Sequence, residues 1–246
     1  MEHNMRQSKD GQNILQKTIW DRLAGRRIVL AGIQGECYTR FLENLENLAG
    51  QPGFSFEVTE GLEQVAAGDF VLLFAELSGQ ENCWPQELEL FDSFQMLLKK
   101  DPASVLLVSS SAIYGKQYGG ARFLHEDEIG YVCHTKQAEL ALQCMRTSEH
   151  FACRFYRENG MPVKIVRLGT WPGNGDFVAE LLDKAMRVLV NGASGEAYNL
   201  PEGCTDDSAV TTHCSGSETE EKKARYSPLQ AVPTYMDAEK AGKLGK

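Results

Sequence analysis

Positive charge is in short supply. The 246 residues hold 25 lysines and arginines against 34 aspartates and glutamates, a formal charge of −9. A nucleic-acid scaffold wants a basic face, so this balance argues against one, but not against a small nucleotide held by backbone N–H groups. No apolar run approaches the roughly 20 residues a membrane-spanning helix needs. The opening stretch, MEHNMRQSKDGQNILQK, lacks the apolar segment of a signal peptide. The expected compartment is the cytoplasm, with no membrane partner. Cysteine is sparse, scattered and odd in number, seven in all. That suits reduced thiols, several of them buried, better than a disulfide framework. Cys204, His213 and Cys214 come nearest to a metal cluster. Their spacing matches no standard zinc pattern, and adjacent His and Cys ligands are awkward, so no metal is expected. Internal repeats are absent too.

What is present is a core and a rhythm. Apolar residues make up 42 % of the chain, enough for one large domain. Ile14, Leu15, Ile19 and Leu23 have helical spacing and predict a short amphipathic helix within an N-terminal extension, residues 1–25. RRIVLAG (26–32) reads as a buried strand. The following helix carries Phe41, Leu42, Leu45 and Leu48 on one face and stops at Gly50. FSFEV (54–58) reads as a second strand, DFVLLFAE (69–76) as a third. QELELFDSFQMLLKK (86–100) reads as a helix with Leu90, Phe94, Leu97 and Leu98 inward. ASVLLVSSS and MPVKIVRLG are further strands, with a mostly helical segment, 131–158, between them. Strands alternating with helices over 26–170 predict an α/β fold: a doubly wound parallel sheet that binds ligands at the carboxyl ends of its strands. DFVAELLDKAMRVLVNG reads as a helix, and the polar, acidic stretch 203–223 as a long mobile loop.

Three places can carry chemistry. In AGIQGECY, Gly32 and Gly35 stand between a strand and a helix. Gly32 allows a tight turn, and Gly35 lets backbone approach a pyrophosphate where helix N–H groups and the helix dipole favour anions. A plain strand–turn–helix connection is the other reading, and Tyr38 stands where a third glycine completes such a loop, threatening close helix–strand packing. VSSSAIYG (108–115) sets serine hydroxyls at a strand's carboxyl end, facing the ligand crevice; a serine-rich turn is the alternative. In GYVCHTK, Tyr131 and Lys136 resemble an acid/base pair, since a nearby lysine cation lowers a tyrosine's pKa. Residues five apart in a regular helix diverge by roughly 140°, against roughly 40° for four. The pair works if Tyr131 precedes the helix or a one-residue bulge realigns it. Otherwise the two are a boundary tyrosine and a surface lysine.

Together these motifs resemble the extended short-chain dehydrogenase/reductase family, the NAD-dependent epimerases and dehydratases of nucleotide sugars. RIVLAGIQGECY resembles the family's strand and T-G-x-x-G-x-x-G loop. VSSSAIYG is similar to its vSSxxvYG, and YVCHTKQAELAL to its Y-x-x-x-K-x-x-x-E. VKIVRLGTWPGNG, GEAYNL and MDAEKAGKLG resemble later segments. The resemblance implies a Rossmann-like dinucleotide-binding domain over 26–175 and a small, reduced C-terminal substrate-binding part over 176–246. It implies NAD or NADP as cofactor, with NAD favoured, and a nucleotide-sugar substrate. It also implies the possibility of a homodimer through helices packed as a four-helix bundle.

By the same resemblance Gly32 and Gly35 line the pyrophosphate, and Ser110 and Tyr131 are catalytic. Lys136 binds the nicotinamide ribose and lowers the tyrosine pKa. Ser111 and Arg167 face the substrate. Glu57 and Glu60 are the candidates for reading the adenosine ribose. The departures are Tyr38, the five-residue Tyr131–Lys136 spacing, and a segment between Gly32 and Asp69 too short for the usual strands and helices. The stretch between PGNG and GEAYNL is also short. They leave a second reading open: a catalytically impaired Rossmann-fold protein that binds a nucleotide or a partner without turnover.

Overall fold

The computed structural model describes residues 19–75, 84–115, 140–169 and 175–200. Helical residues 19–23, here α1, lead into β1 (Arg27–Gly32), α2 (Glu36–Ala49), β2 (Glu57–Glu60) and β3 (Phe70–Phe74). Then come α3 (Trp84–Lys100), β4 (Ser104–Ser110), α4 (Leu140–Asn159), β5 (Val163–Leu168), α5 (Gly175–Asn191) and β6 (Ala197–Leu200). All six strands are parallel, in the order β2-β1-β3-β4-β5-β6.

The central strands are buried on both faces, which is why β1, β3 and β4 read as largely apolar runs, whereas the edge strand β2 does not. Side chains alternate between faces with period two. Ile28, Leu30, Leu72, Phe74, Leu106, Val108, Val166 and Leu168 meet α2 and α5 in one core. Val29, Ala31, Val71, Leu73, Val105, Leu107, Val163 and Ile165 meet α3 and α4 in the other. Each fully buried aliphatic side chain contributes about 1.5–3 kcal/mol, so the central strands dominate the stability of the sheet.

α2 turns Cys37, Tyr38, Phe41 and Leu45 inward and ends at Gly50, whose N–H reaches the Glu46 carbonyl at 3.2 Å. In α3, Leu90, Phe94 and Leu97 are buried as the pattern predicts, but Leu98 is 37 % exposed. At 100° per residue Leu98 lies about 80° around the helix from Leu90, on the flank of the buried stripe.

Between β1 and β3 the chain has only α2, β2 and the short 3-10 turn Leu62–Gln64. β2 therefore forms the edge of the sheet, with no further strand beyond it among the described residues. Residues 175–200 stay with the same sheet. α5 packs across β4 and β5, and β6 pairs with β5, Leu168 opposite Leu200. GEAYNL therefore supplies a sixth strand. α5 has no basic residue in its last turn. Buried Lys164 and Ser104 from the sheet donate instead to its Leu189 carbonyl, at 2.6 and 2.8 Å. A cation at a helix C-terminus complements the dipole. The 203–223 stretch and Cys204, His213 and Cys214 lie outside the described residues. Among the described residues no helix is long and apolar enough to cross a membrane, and no group of side chains could hold a metal ion.

Candidate functional site

The strand order reverses at β1, with β2 on one side and β3 on the other, and ligands of open α/β sheets bind outside the carboxyl ends of strands at such a point. Gly32 ends β1 with φ +94°, and a Cβ there would stand 2.3 Å from the Phe74 carbonyl oxygen. Ile33 N–H donates to that same oxygen at 2.9 Å, so the turn is fastened to β3. Gly35 differs. Its φ of −109° suits any residue, and among the described residues a Cβ on it would meet nothing within 4 Å. Gly35 is the N-cap of the 14-residue α2 and, having no side chain, makes no capping hydrogen bond of its own. The turn therefore presents backbone N–H groups and the positive end of a dipole to open space.

Tyr38 does not obstruct the packing of α2. Its ring is buried and stands edge-on to Phe74, centroids 5.1 Å apart, with Phe41 against the same ring at 5.6 Å. Its hydroxyl emerges at the end of β2 and donates to Glu60 Oε2 at 2.6 Å. Burial and then the Glu60 carboxylate raise the Tyr38 pKa, so the phenol stays protonated. Glu60, named only as a candidate by the sequence, is the exposed last residue of β2 beside this turn.

Gly32, Phe74 and Val108 are register partners across β1, β3 and β4, so Ser110, two residues past Val108, lies at the same end of the sheet as Gly32, about 12 Å away. Ser110 Oγ accepts from Ala112 N–H at 3.2 Å and caps the 3-10 turn Ser111–Tyr114; Ser111 is buried. Ser109 is buried, and its hydroxyl has no partner among the described residues.

Arg167 lies on β5 opposite Ser109, inside a buried network. Its Nη2 meets Glu149 Oε2 at 2.7 Å, and its Nε also donates to that carboxylate. Its Nη1 donates to the Tyr114 hydroxyl at 2.9 Å, which donates in turn to Asn199 Oδ1 at 2.7 Å. The guanidinium carbon is 5.2 Å from the Tyr114 ring centroid. Burial opposes the Arg167 charge, but the hydrogen bonds and charge of Glu149 outweigh it and raise its pKa. Burial also lowers the pKa of neighbouring Arg146, whose Nε donates to the Ile113 carbonyl at 2.7 Å.

The structure thus brings Gly32, Gly35, Ser110, Ser111 and Arg167 to one sheet edge. Tyr131 and Lys136 lie outside the described residues. Glu149 and Asn199 were missed by the sequence. A signal for Glu149 existed: an arginine within the apolar run VKIVRL requires an acid, and Glu149 shares the buried phase of α4 with Met145, Ser148 and Ala152. Cys37 and Cys144 are buried and Cys153 is half-buried.

Compared by sequence, the chain matches no family model and no curated protein. Compared by structure, it is similar to the Bordetella bronchiseptica enzyme WbmF in complex with NADH, at 13 % identity and TM-score 0.51, over 90 % of this chain and 86 % of that one. It is similar to RMD from Pseudomonas aeruginosa complexed with NADPH, at 16 % identity and TM-score 0.51, over 71 % and 76 %. An epimerase from Methanothermobacter thermautotrophicus is similar at 14 % identity and TM-score 0.51, over 76 % and 74 %. At these identities the likeness establishes the fold: a Rossmann-like α/β domain with a doubly wound parallel sheet.

Proposed function

We propose that this chain binds NAD or NADP along the β1–α2 turn and acts on a nucleotide sugar as an oxidoreductase of the epimerase/dehydratase kind. The observation that carries the reading is the contrast between the two glycines. Gly32 is glycine because Phe74 leaves no room for a Cβ. Gly35 has room among the described residues, so its packing against them does not require glycine, whereas a phosphate approaching the helix N-terminus would. The turn thus fits a pyrophosphate on the chain's own geometry. The names of the similar structures, with NADH and NADPH bound, support the same class of ligand.

When bound, the nicotinamide supplies a hydride acceptor and donor. The chain's residues would supply the rest. Ser110 accepts one backbone N–H, which leaves its hydroxyl proton to donate to a substrate oxygen at the strand end. Tyr131 takes the proton from that sugar hydroxyl. Lys136 keeps the tyrosine acidic and binds the nicotinamide ribose. Ser111 lines the substrate side, and Arg167 serves it through Tyr114, whose ring and hydroxyl it holds. The five-residue spacing of Tyr131 and Lys136 favours a second reading, nucleotide binding without turnover.

Calorimetric titration of the folded chain with NAD⁺ and NADP⁺ tests the first step. Saturable binding of either is expected; no binding at millimolar nucleotide overturns the proposal. Turnover on a panel of nucleotide sugars then separates the readings, because binding with no turnover on any of them selects the second.

A further inference from the structure

We propose that Tyr38 is a positioning residue for Glu60, holding its carboxylate at the ribose side of the crevice and so favouring a dinucleotide whose adenosine ribose carries no phosphate. The inference rests on the nucleotide reading above. Glu60 ends β2 as the register partner of Leu30, two residues before Gly32, and its side chain is exposed. An exposed glutamate on an edge strand ordinarily samples several rotamers, and fixing it costs entropy. Here the anchor is rigid. The Tyr38 ring is locked between α2 and Phe74, and its hydroxyl donates to Glu60 Oε2 at 2.6 Å, the length of a charge-assisted bond. The Tyr38–Glu60 bond thus ties the first turn of α2 to the end of β2.

A carboxylate fixed there accepts hydrogen bonds from a ribose diol and repels a 2′-phosphate. Nothing basic in the turn offsets that repulsion. Residues 33–38 are Ile, Gln, Gly, Glu, Cys and Tyr, and the next cation, Arg40, is exposed and paired with Glu43 at 3.6 Å. A buried phenol that needed only an acceptor would use Glu60 with no consequence for ligands, and that simpler role gives a different result in the experiment.

The full chain is titrated calorimetrically with NAD⁺ and NADP⁺ as wild type, Tyr38→Phe and Glu60→Asp, with the melting temperature of each. The wild type is expected to prefer NAD⁺. Tyr38→Phe keeps the ring and the charge but loses the tether. It is expected to weaken NAD⁺ about five- to tenfold, as the loss of one ordering hydrogen bond would, with NADP⁺ affected less. Glu60→Asp is a surface change that retracts the carboxylate from Tyr38, and it is expected to do the same. It decides the matter alone if Tyr38→Phe does not fold. Wild-type NAD⁺ affinity and preference in either folded variant overturns the role of Tyr38 and leaves the nucleotide reading standing. A wild type that binds neither nucleotide overturns both.

Discussion

Gly32 sits so close to Phe74 that a Cβ would stand 2.3 Å from the Phe74 carbonyl oxygen, while three residues on, at Gly35, a Cβ would touch nothing within 4 Å among the described residues. The two glycines of one turn answer to different demands, one internal and one external.

Alanine at each separates those demands. Gly32→Ala meets backbone and must adopt φ +94°, so a loss of about 2–4 kcal/mol in urea unfolding is expected. Gly35→Ala loses only a favourable N-cap residue, at most about 1 kcal/mol. It places a methyl group in the phosphate path, and NAD⁺ binding should weaken by about tenfold, or about 1.4 kcal/mol. Equal stability losses at the two positions, with binding untouched at Gly35, would contradict the assignment.

Glu149→Ala strands the buried Arg167 guanidinium, and a loss of about 3–5 kcal/mol in chemical denaturation is expected. Replacing both partners by apolar residues, Glu149→Leu with Arg167→Met, should cost less than Glu149→Ala alone, because no charge is then left unpaired. A double variant less stable than Glu149→Ala would show that the Tyr114 and Asn199 contacts matter more than the ion pair.

If the chain turns over a nucleotide sugar, Tyr131→Phe should lower kcat by about 10²–10⁴ with cofactor affinity nearly intact. Lys136→Ala should weaken both turnover and cofactor binding. Full activity in Tyr131→Phe removes that residue from the mechanism.

The Tyr38 pKa is raised by burial and by Glu60. A raised pKa means the folded state holds the proton more tightly than the unfolded chain. The contribution is fully present below the ordinary tyrosine value of about 10, and is lost above it as the unfolded phenol ionises first. Urea midpoints should therefore fall more steeply above about pH 10 in the wild type than in Tyr38→Phe. Parallel curves would mean that Tyr38 ionises as freely in the folded protein as in the unfolded chain.

The strands differed in how far they could be read. RIVLAG, FVLLF, SVLLVSS and VKIVRL were plain because a parallel strand covered on both faces must be apolar throughout. β2, EVTE, is a sheet edge with exposed acids at both ends, and FSFEV placed it three residues early. Leu98 was drawn inward by a pattern whose stripe was narrower than it looked.

By itself the sequence determined the alternation of elements, the parallel sheet, and the glycine turn and serine strand end at one edge. These follow from local periodicity and from backbone conformations that only certain residues adopt. Only the tertiary structure decided that GEAYNL joins the sheet beside β5, that Tyr38 fits beneath α2 against Phe74, and that Arg167 finds its acid on α4. Each is a choice of partner distant along the chain, and such choices are made by packing and by the need to pair buried charge, which no local pattern records.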